Sequence, residues 1–187
     1  MLPHEPPDKK GEKGPHDRGV HDGGPHDRVY DTVHGTVSRR AFNTPENALK
    51  AVATSRACIN SLAAGRVWKH RGPHGEIEIK GALTLDNAAV VVLHFSPEDG
   101  SLLPKGLHGI SEGRPEVIAL IEKRLNELPQ RITVLDGAEF REPESCWAVP
   151  VAHEGRIVAH LKVSSDGTTI VPDKKAAQEL NSTDKGE

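Results

Sequence analysis

Aromatic residues are the scarcest resource of this chain: Phe, Trp and Tyr make up 3% of its 187 residues. Any core must therefore rest on Val, Ile, Leu and Ala, which favours a modest layered domain over a large enzyme cleft. Cysteine is nearly absent too. Cys58 and Cys146 are too few for a disulfide framework, and both are expected to act as small apolar side chains rather than nucleophiles. No apolar run approaches the roughly 18 residues of a membrane span. The opening "MLPHEPPDKKGEKGPH" lacks the apolar stretch of a secretory signal. A cytoplasmic protein without a membrane partner is the expectation. Lys and Arg are interspersed with Asp and Glu at a net charge of -3, with no basic run interleaved with aromatics, so nucleic acid is not expected as a partner.

Catalytic signatures are missing as well. There is no HExxH, CxxC, phosphate loop, dinucleotide fingerprint or Ser nucleophile elbow. "SPEDG" and "SSDG" lack the spaced oxygens and closing Glu of a calcium loop. Glu76 and Glu78 alternate with Ile77 and Ile79, a pattern expected to put the carboxylates on a solvated strand face rather than to make an acid/base pair. A non-enzyme is expected.

What the chain does have begins at its start. In "GPHDRGVHDGGPHDR" three His-Asp pairs, His16 with Asp17, His21 with Asp22 and His26 with Asp27, recur every five residues. Imidazoles suit nickel, zinc or cobalt, and the adjacent carboxylates can ligate or raise ligand basicity. Residues 1–28 hold too little apolar surface to offset the roughly 1 to 2 kcal/mol of backbone entropy that each ordered residue costs, so a disordered metal-binding tail is expected. A buffering or delivery protein follows as the first functional expectation. Spacing gives no folded zinc site, with His70 and His74 the best pair in the remainder and His94, His108, His153 and His160 scattered.

Residues 29–181 read as an α+β domain, with 182–187 as a disordered C-terminus. A β-favouring run covers 29–42. Thr44, Pro45 and Glu46 mark a helix start, Leu49, Val52, Ile59 and Leu62 its apolar face, and Gly65 its stop, which predicts a helix over 45–64. "RVWKH", "EIEIKGALTL" and "AAVVVLHF" are strands of an antiparallel meander. A second helix is predicted over 115–128 on Val117, Ile121, Leu125 and Leu128, ending at Pro129. The first unit then returns: "ALTLDNAAVVVLHFSPEDGSLLP" is answered by "PVAHEGRIVAHLKVSSDGTTIVP", pairing Leu83 with Val151, Val90 with Val158, Phe95 with Val163 and Gly100 with Gly167. Two tandem helix-plus-three-strand repeats, about 44–109 and 114–180, are expected, with their helices on one face of antiparallel sheet. Loop 98–109, carrying Leu102, Leu103 and Leu107, or the exposed sheet face, is the place expected to meet a protein partner.

"CWAVPVAHEGRIVAHLKVSSDGTTIVP", residues 146–172, resembles the end of a PepSY-type domain, in which a helix precedes antiparallel sheet, a Trp enters one strand and an Asp-Gly turn leads into the last. The first unit matches less well, with Ile79 where Trp147 stands in the second. The resemblance implies a small regulatory or inhibitory module without catalytic residues, an alternative to metal buffering in which the tail is incidental. Such domains are mostly extracytoplasmic.

Overall fold

The computed structural model describes residues 42–72, 75–109, 111 and 113–183, with the backbone alone at 182 and 183. All of them belong to the unit Val37–Glu187. The expected strand over 29–42, apart from Phe42, the His-Asp tail and His74 lie outside the described residues.

An α+β arrangement of helices and antiparallel sheet follows from the patterns above. Helix α1 covers Pro45–Ile59, strands β1, β2 and β3 cover Ala63–Arg71, Ile77–Leu85 and Ala88–Phe95, and helix α2 covers Pro115–Glu127. Short strands β4, Ile132–Val134, and β5, Glu139–Arg141, precede β6, Cys146–His153, and β7, Arg156–Ser164, before a closing helix α3, Lys174–Thr183. One sheet has the order β1-β2-β3. In the other, β6 pairs with β7 along one edge and with β4 and β5 along the other, every pairing antiparallel.

Both long hairpins turn on two residues of positive φ, Asp86 and Asn87 in one and Glu154 and Gly155 in the other, the geometry whose twist matches that of the flanking strands. Each then folds its exit back. Phe95 bridges Leu102 after a turn closed by Gly100, and Val163 bridges Ile170 after a turn closed by Gly167. The helices are exchanged between the sheets. α2 lies on β1 and β2, while α1 lies on β4, β6 and β7.

The largest core packs Ile79, Leu83, Leu93 and Phe95 against Val117, Ile121 and Leu125 of α2, and continues to Val151 and Leu161. A second cluster seats Ala51 and Val52 of α1 on Trp147, Val149 and Val163.

Four local expectations need correction. α1 stops at Ile59 rather than 64: Ala48, Ala51 and Val52 seat it on one cluster, Cys58 and Ile59 pack against the largest core, and Ala63 already opens β1. Leu49 is 72% exposed, and Leu62 reaches the core from outside the helix. Gly65 is no helix stop; it sits in β1 where a Cβ would come within 2.8 Å of Thr84, beside a register shift between Ala64 and Val67. The helices do not all share one face. α3, which hydropathy alone did not reveal, packs Ala176 and Leu180 on Trp68, Ala82, Ala89 and Val92, the residues alternating with the α2-facing ones. Asp173 caps α3 by accepting from the Ala176 N–H at 3.0 Å, and the helix runs through Thr183.

Candidate metal and polar cavity

The face of β2 and β3 turned away from α2 carries Glu78, Lys80, Val92 and His94, and α3 roofs part of it. Lys80 stands opposite His94 in the ladder, which makes Glu78 the diagonal neighbour of His94 on the same face. With β7, the loop after β3 and β5, these residues line a cavity of about 240 Å³. The sheet's wetter face thus carries the candidate site.

Lys80 is buried and held by two carboxylates, Glu78 at 2.9 Å and Glu179 of α3 at 3.1 Å. Glu179 also accepts from the Trp68 indole at 3.0 Å, with His70 Nδ1 3.6 Å away. Burial alone would raise the Glu78 carboxyl, but Lys80, His94 and His108 outweigh it and hold the carboxyl below the usual range. Glu78 is therefore a buried, paired carboxylate, not the solvated one expected from "EIEI".

His108 meets this pair from loop 98–109. The loop is fastened by Leu103 N–H to the His94 carbonyl at 2.9 Å and by Lys105 N–H to the Ile157 carbonyl at 2.8 Å. Its Leu102 packs on the core while Leu107 stays 55% exposed. The His108 ring meets His94 edge to face with centroids 4.8 Å apart, and its Nδ1 lies 2.7 Å from Glu78 Oε1 and 3.3 Å from His94 Nδ1. One ligand atom from each of Glu78, His94 and His108 falls within 4.8 Å of the others, so the three residues can hold a metal ion. A tetrahedral ion with bonds of about 2.0–2.1 Å places neighbouring ligand atoms roughly 3.3 Å apart, close to the imidazole spacing here. Burial, with Lys80, His108 and Lys105 adding to it against Glu78, pushes His94 down to about 4. At neutral pH its lone pair is available. The shorter Glu78–His108 contact is a hydrogen bond in which Nδ1–H donates to the carboxylate, and that proton occupies the position an ion would take.

The opposite end of the cavity is basic. Arg141 of β5 approaches His160 of β7 at 3.2 Å and Glu144 at 3.6 Å. Lys162 pairs with Glu144 at 2.5 Å and with Asp173 at 3.8 Å. Burial pulls the Lys162 ammonium down, but Glu144 and Asp173 outweigh it and leave its pKa raised. The exposed Lys105 ammonium is lowered first by the desolvation its neighbours impose and then by Arg141 and Lys162, against the pull of Asp173. His160 falls to about 4, first by burial and then by Lys105 and Arg141, which outweigh Glu139.

The structure leaves the sequence-derived candidates in different places. His16, Asp17, His21, Asp22, His26 and Asp27 lie outside the described residues, as does His74 of the His70 pair. The folded cluster uses residues that spacing had not joined, because Glu78, His94 and His108 come from two strands and a loop, 16 and 14 residues apart. His160, which spacing had likewise not joined to them, lines the same cavity as His94 and His108. Cys58 and Cys146 have thiol pKa values raised chiefly by burial, as inert thiols should. Among the described residues no helix is long and apolar enough to cross a membrane.

No protein-family model matches the chain, and no curated protein or solved structure matches it either. The class that fold and cavity define together is an α+β domain with a two-histidine, one-carboxylate candidate metal site.

Proposed function

We propose that the protein is a non-catalytic binder of a divalent ion, nickel, zinc or cobalt, that buffers or delivers it. The observation that carries this reading is the convergence of Glu78, His94 and His108 ligand atoms within 4.8 Å. Three protein ligands leave positions for water or an acceptor, which suits an ion held for transfer better than a closed structural site. Lys80 shares the Glu78 carboxylate and repels a cation, so moderate affinity is expected. The opening His-Asp pairs are the tail half of the same proposal, a separate set of imidazoles that catch ions at low affinity because loop closure costs entropy.

Calorimetric titration of zinc and nickel into the full chain, a chain without residues 1–28, and a His94→Ala/His108→Ala chain tests both halves. The truncated chain should keep one site, which the double variant should lose. Equal binding by the wild type and the double variant, both without 1–28, would overturn the folded site.

A second reading, a PepSY-like regulatory module, is favoured by the order of elements. A helix precedes antiparallel strands, Trp147 enters β6, and Asp166-Gly167 turns the chain toward Ile170. The matching hairpin turns, the matching bridges after β3 and β7 and the reciprocal helix exchange likewise support a tandem duplication as its origin.

A further inference from the structure

The metal reading accounts for one end of the cavity and leaves the other without a purpose. Five cationic side chains, Lys80, Lys105, Arg141, Lys162 and Lys175, line the cavity against three carboxylates, Glu78, Asp173 and Glu179. Of these, Lys80 is neutralised within the buried network and Lys175 reaches Glu179 at 3.8 Å. The surplus is concentrated at the far end. Arg141 and Lys162 divide a single carboxylate, Glu144, with Asp173 at the longer distance of 3.8 Å from Lys162. Lys105 has no carboxylate within ion-pair distance among the described residues. Three cations, Lys105, Arg141 and Lys162, thus converge on the two carboxylates Glu144 and Asp173 and raise each other's energy, and a bound anion relieves that cost directly.

Hydrogen-bond chemistry sharpens the choice of anion. A guanidinium only donates, so in its 3.2 Å contact with Arg141 the His160 Nδ1 must accept. The neutral ring then carries its proton on Nε2, as a donor. Two ammonium groups, a guanidinium and an imidazole N–H thus supply donors alone, the complement of a group that presents several acceptor oxygens and negative charge.

We propose that Lys105, Arg141, His160 and Lys162 form a binding site for a small phosphate-class oxyanion, either free inorganic phosphate or the phosphate group of a small monoester. The site does not depend on a metal at Glu78, His94 and His108, although an anion seated there lies in the same cavity and lowers the repulsion a cation would feel.

Inorganic phosphate titrated into the full, metal-free chain by calorimetry, followed by imidazole NMR, tests the proposal. The groups around His160 are Lys105 from the loop, Glu139 and Arg141 from β5, Glu144 after it, Lys162 on its own strand and Asp173 before α3. A phosphate dianion offsets Lys105 and Arg141, so the His160 titration should move upward when phosphate binds. Lys105→Gln and Arg141→Gln should each weaken phosphate by about tenfold or more, whereas Lys175→Gln, on the exposed rim, should change it less than about twofold. Arg141→Lys keeps the charge and serves where Arg141→Gln fails to fold. Glycerol phosphate binding at least as tightly as phosphate assigns a monoester ligand, and tighter free phosphate assigns the ion itself. Equal affinity in wild type, Lys105→Gln and Arg141→Lys, or binding that leaves His160 unmoved, would overturn the site. Zinc titration of Lys105→Gln separates this failure from that of the metal reading, since Glu78, His94 and His108 remain intact in that variant.

Discussion

The hairpins β2–β3 and β6–β7 share a turn type, an apolar inner face and a folded-back exit, yet their outer faces have gone different ways. Counting back one residue from the bridging Phe95 and Val163, His94 is answered by Lys162; three back, Val92 is answered by His160. Under α3 the first hairpin buries Lys80 with two carboxylates, whereas the Lys162 side chain on the second remains 25% exposed. The two outer faces therefore differ in charge, with an anionic, imidazole-bearing corner on β2–β3 and a cationic corner beside β7. A twisted sheet fixes where side chains stand, and the roof decides which charges must be paired.

The sharpest way to break that contrast is to remove the lysine from each half. Lys80→Ala leaves Glu78 and Glu179 without the buried cation they share and should cost about 3–5 kcal/mol in denaturant unfolding. Lys162→Ala, with its partners partly solvated, should cost about 1 kcal/mol or less. Lys80→Met keeps the packing and should recover part of the loss while tightening zinc, because Glu78 is then no longer shared. Equal costs for the two alanine variants would mean that α3 does not seal the first face.

Next in size are the turn glycines that follow the two hairpins. Gly167 has φ +79, and a Cβ there would lie 2.5 Å from the Asn47 carbonyl oxygen and 2.9 Å from the Ala51 nitrogen, both backbone atoms of α1. At Gly100, φ +65, the nearest obstacle is the Ile121 side chain of α2 at 3.0 Å, which can shift. Gly167→Ala should cost about 2–4 kcal/mol and Gly100→Ala about 1–2 kcal/mol, from left-handed strain in both and an immovable clash in one. Thermal melts that reverse this order would refute the tighter seating of α1.

The most gradual effect is the pH response, spread over more than two pH units, to which each hairpin contributes one histidine. His94 and His160 titrate at about 4 in the folded chain and near 6.5 when unfolded. The unfolded chain binds protons first as pH falls, so stability present above about 6.5 should drain away toward about 4, by of order 1–3 kcal/mol for the pair after allowance for their partial exposure. Replacing either by Gln should flatten its share of that slope. A melting temperature unchanged between pH 7 and pH 4.5 would contradict the burial of both rings.

Much of this architecture was legible in local chemistry. β3 has the bounds that "AAVVVLHF" implied, α2 buries Val117, Ile121 and Leu125 as their spacing required, and the Asp-Asn pair between two apolar runs announced a tight hairpin. These features depend on neighbours within a few residues, so period and turn preference suffice. α3 escaped because "KKAAQELNST" offers only small or single apolar residues, and its helicity is fixed by the Asp173 cap and by docking on Trp68 and Ala82. The prediction of a helix to 64 rests on Leu62 and Gly65, which instead reach the core from outside the helix and sit in β1, respectively; on α1 itself the small Ala48 and Ala51, rather than Leu49, meet the Trp147 cluster.

By itself the sequence determined the α+β class, the antiparallel hairpins with their turns, and the identity of every titrating group. Which of those groups meet was decided by tertiary structure. Glu78, Lys80 and His94 share a strand face through register, but His108 and Lys105 join them only because loop 98–109 is pinned to β3 and β7, and Glu179 because α3 covers that face. The physical reason is range. Propensity and periodicity act over a few residues along the chain, whereas charge pairing, desolvation and ligand geometry act over a few ångströms through space, between segments whose separation in sequence carries no trace of their contact.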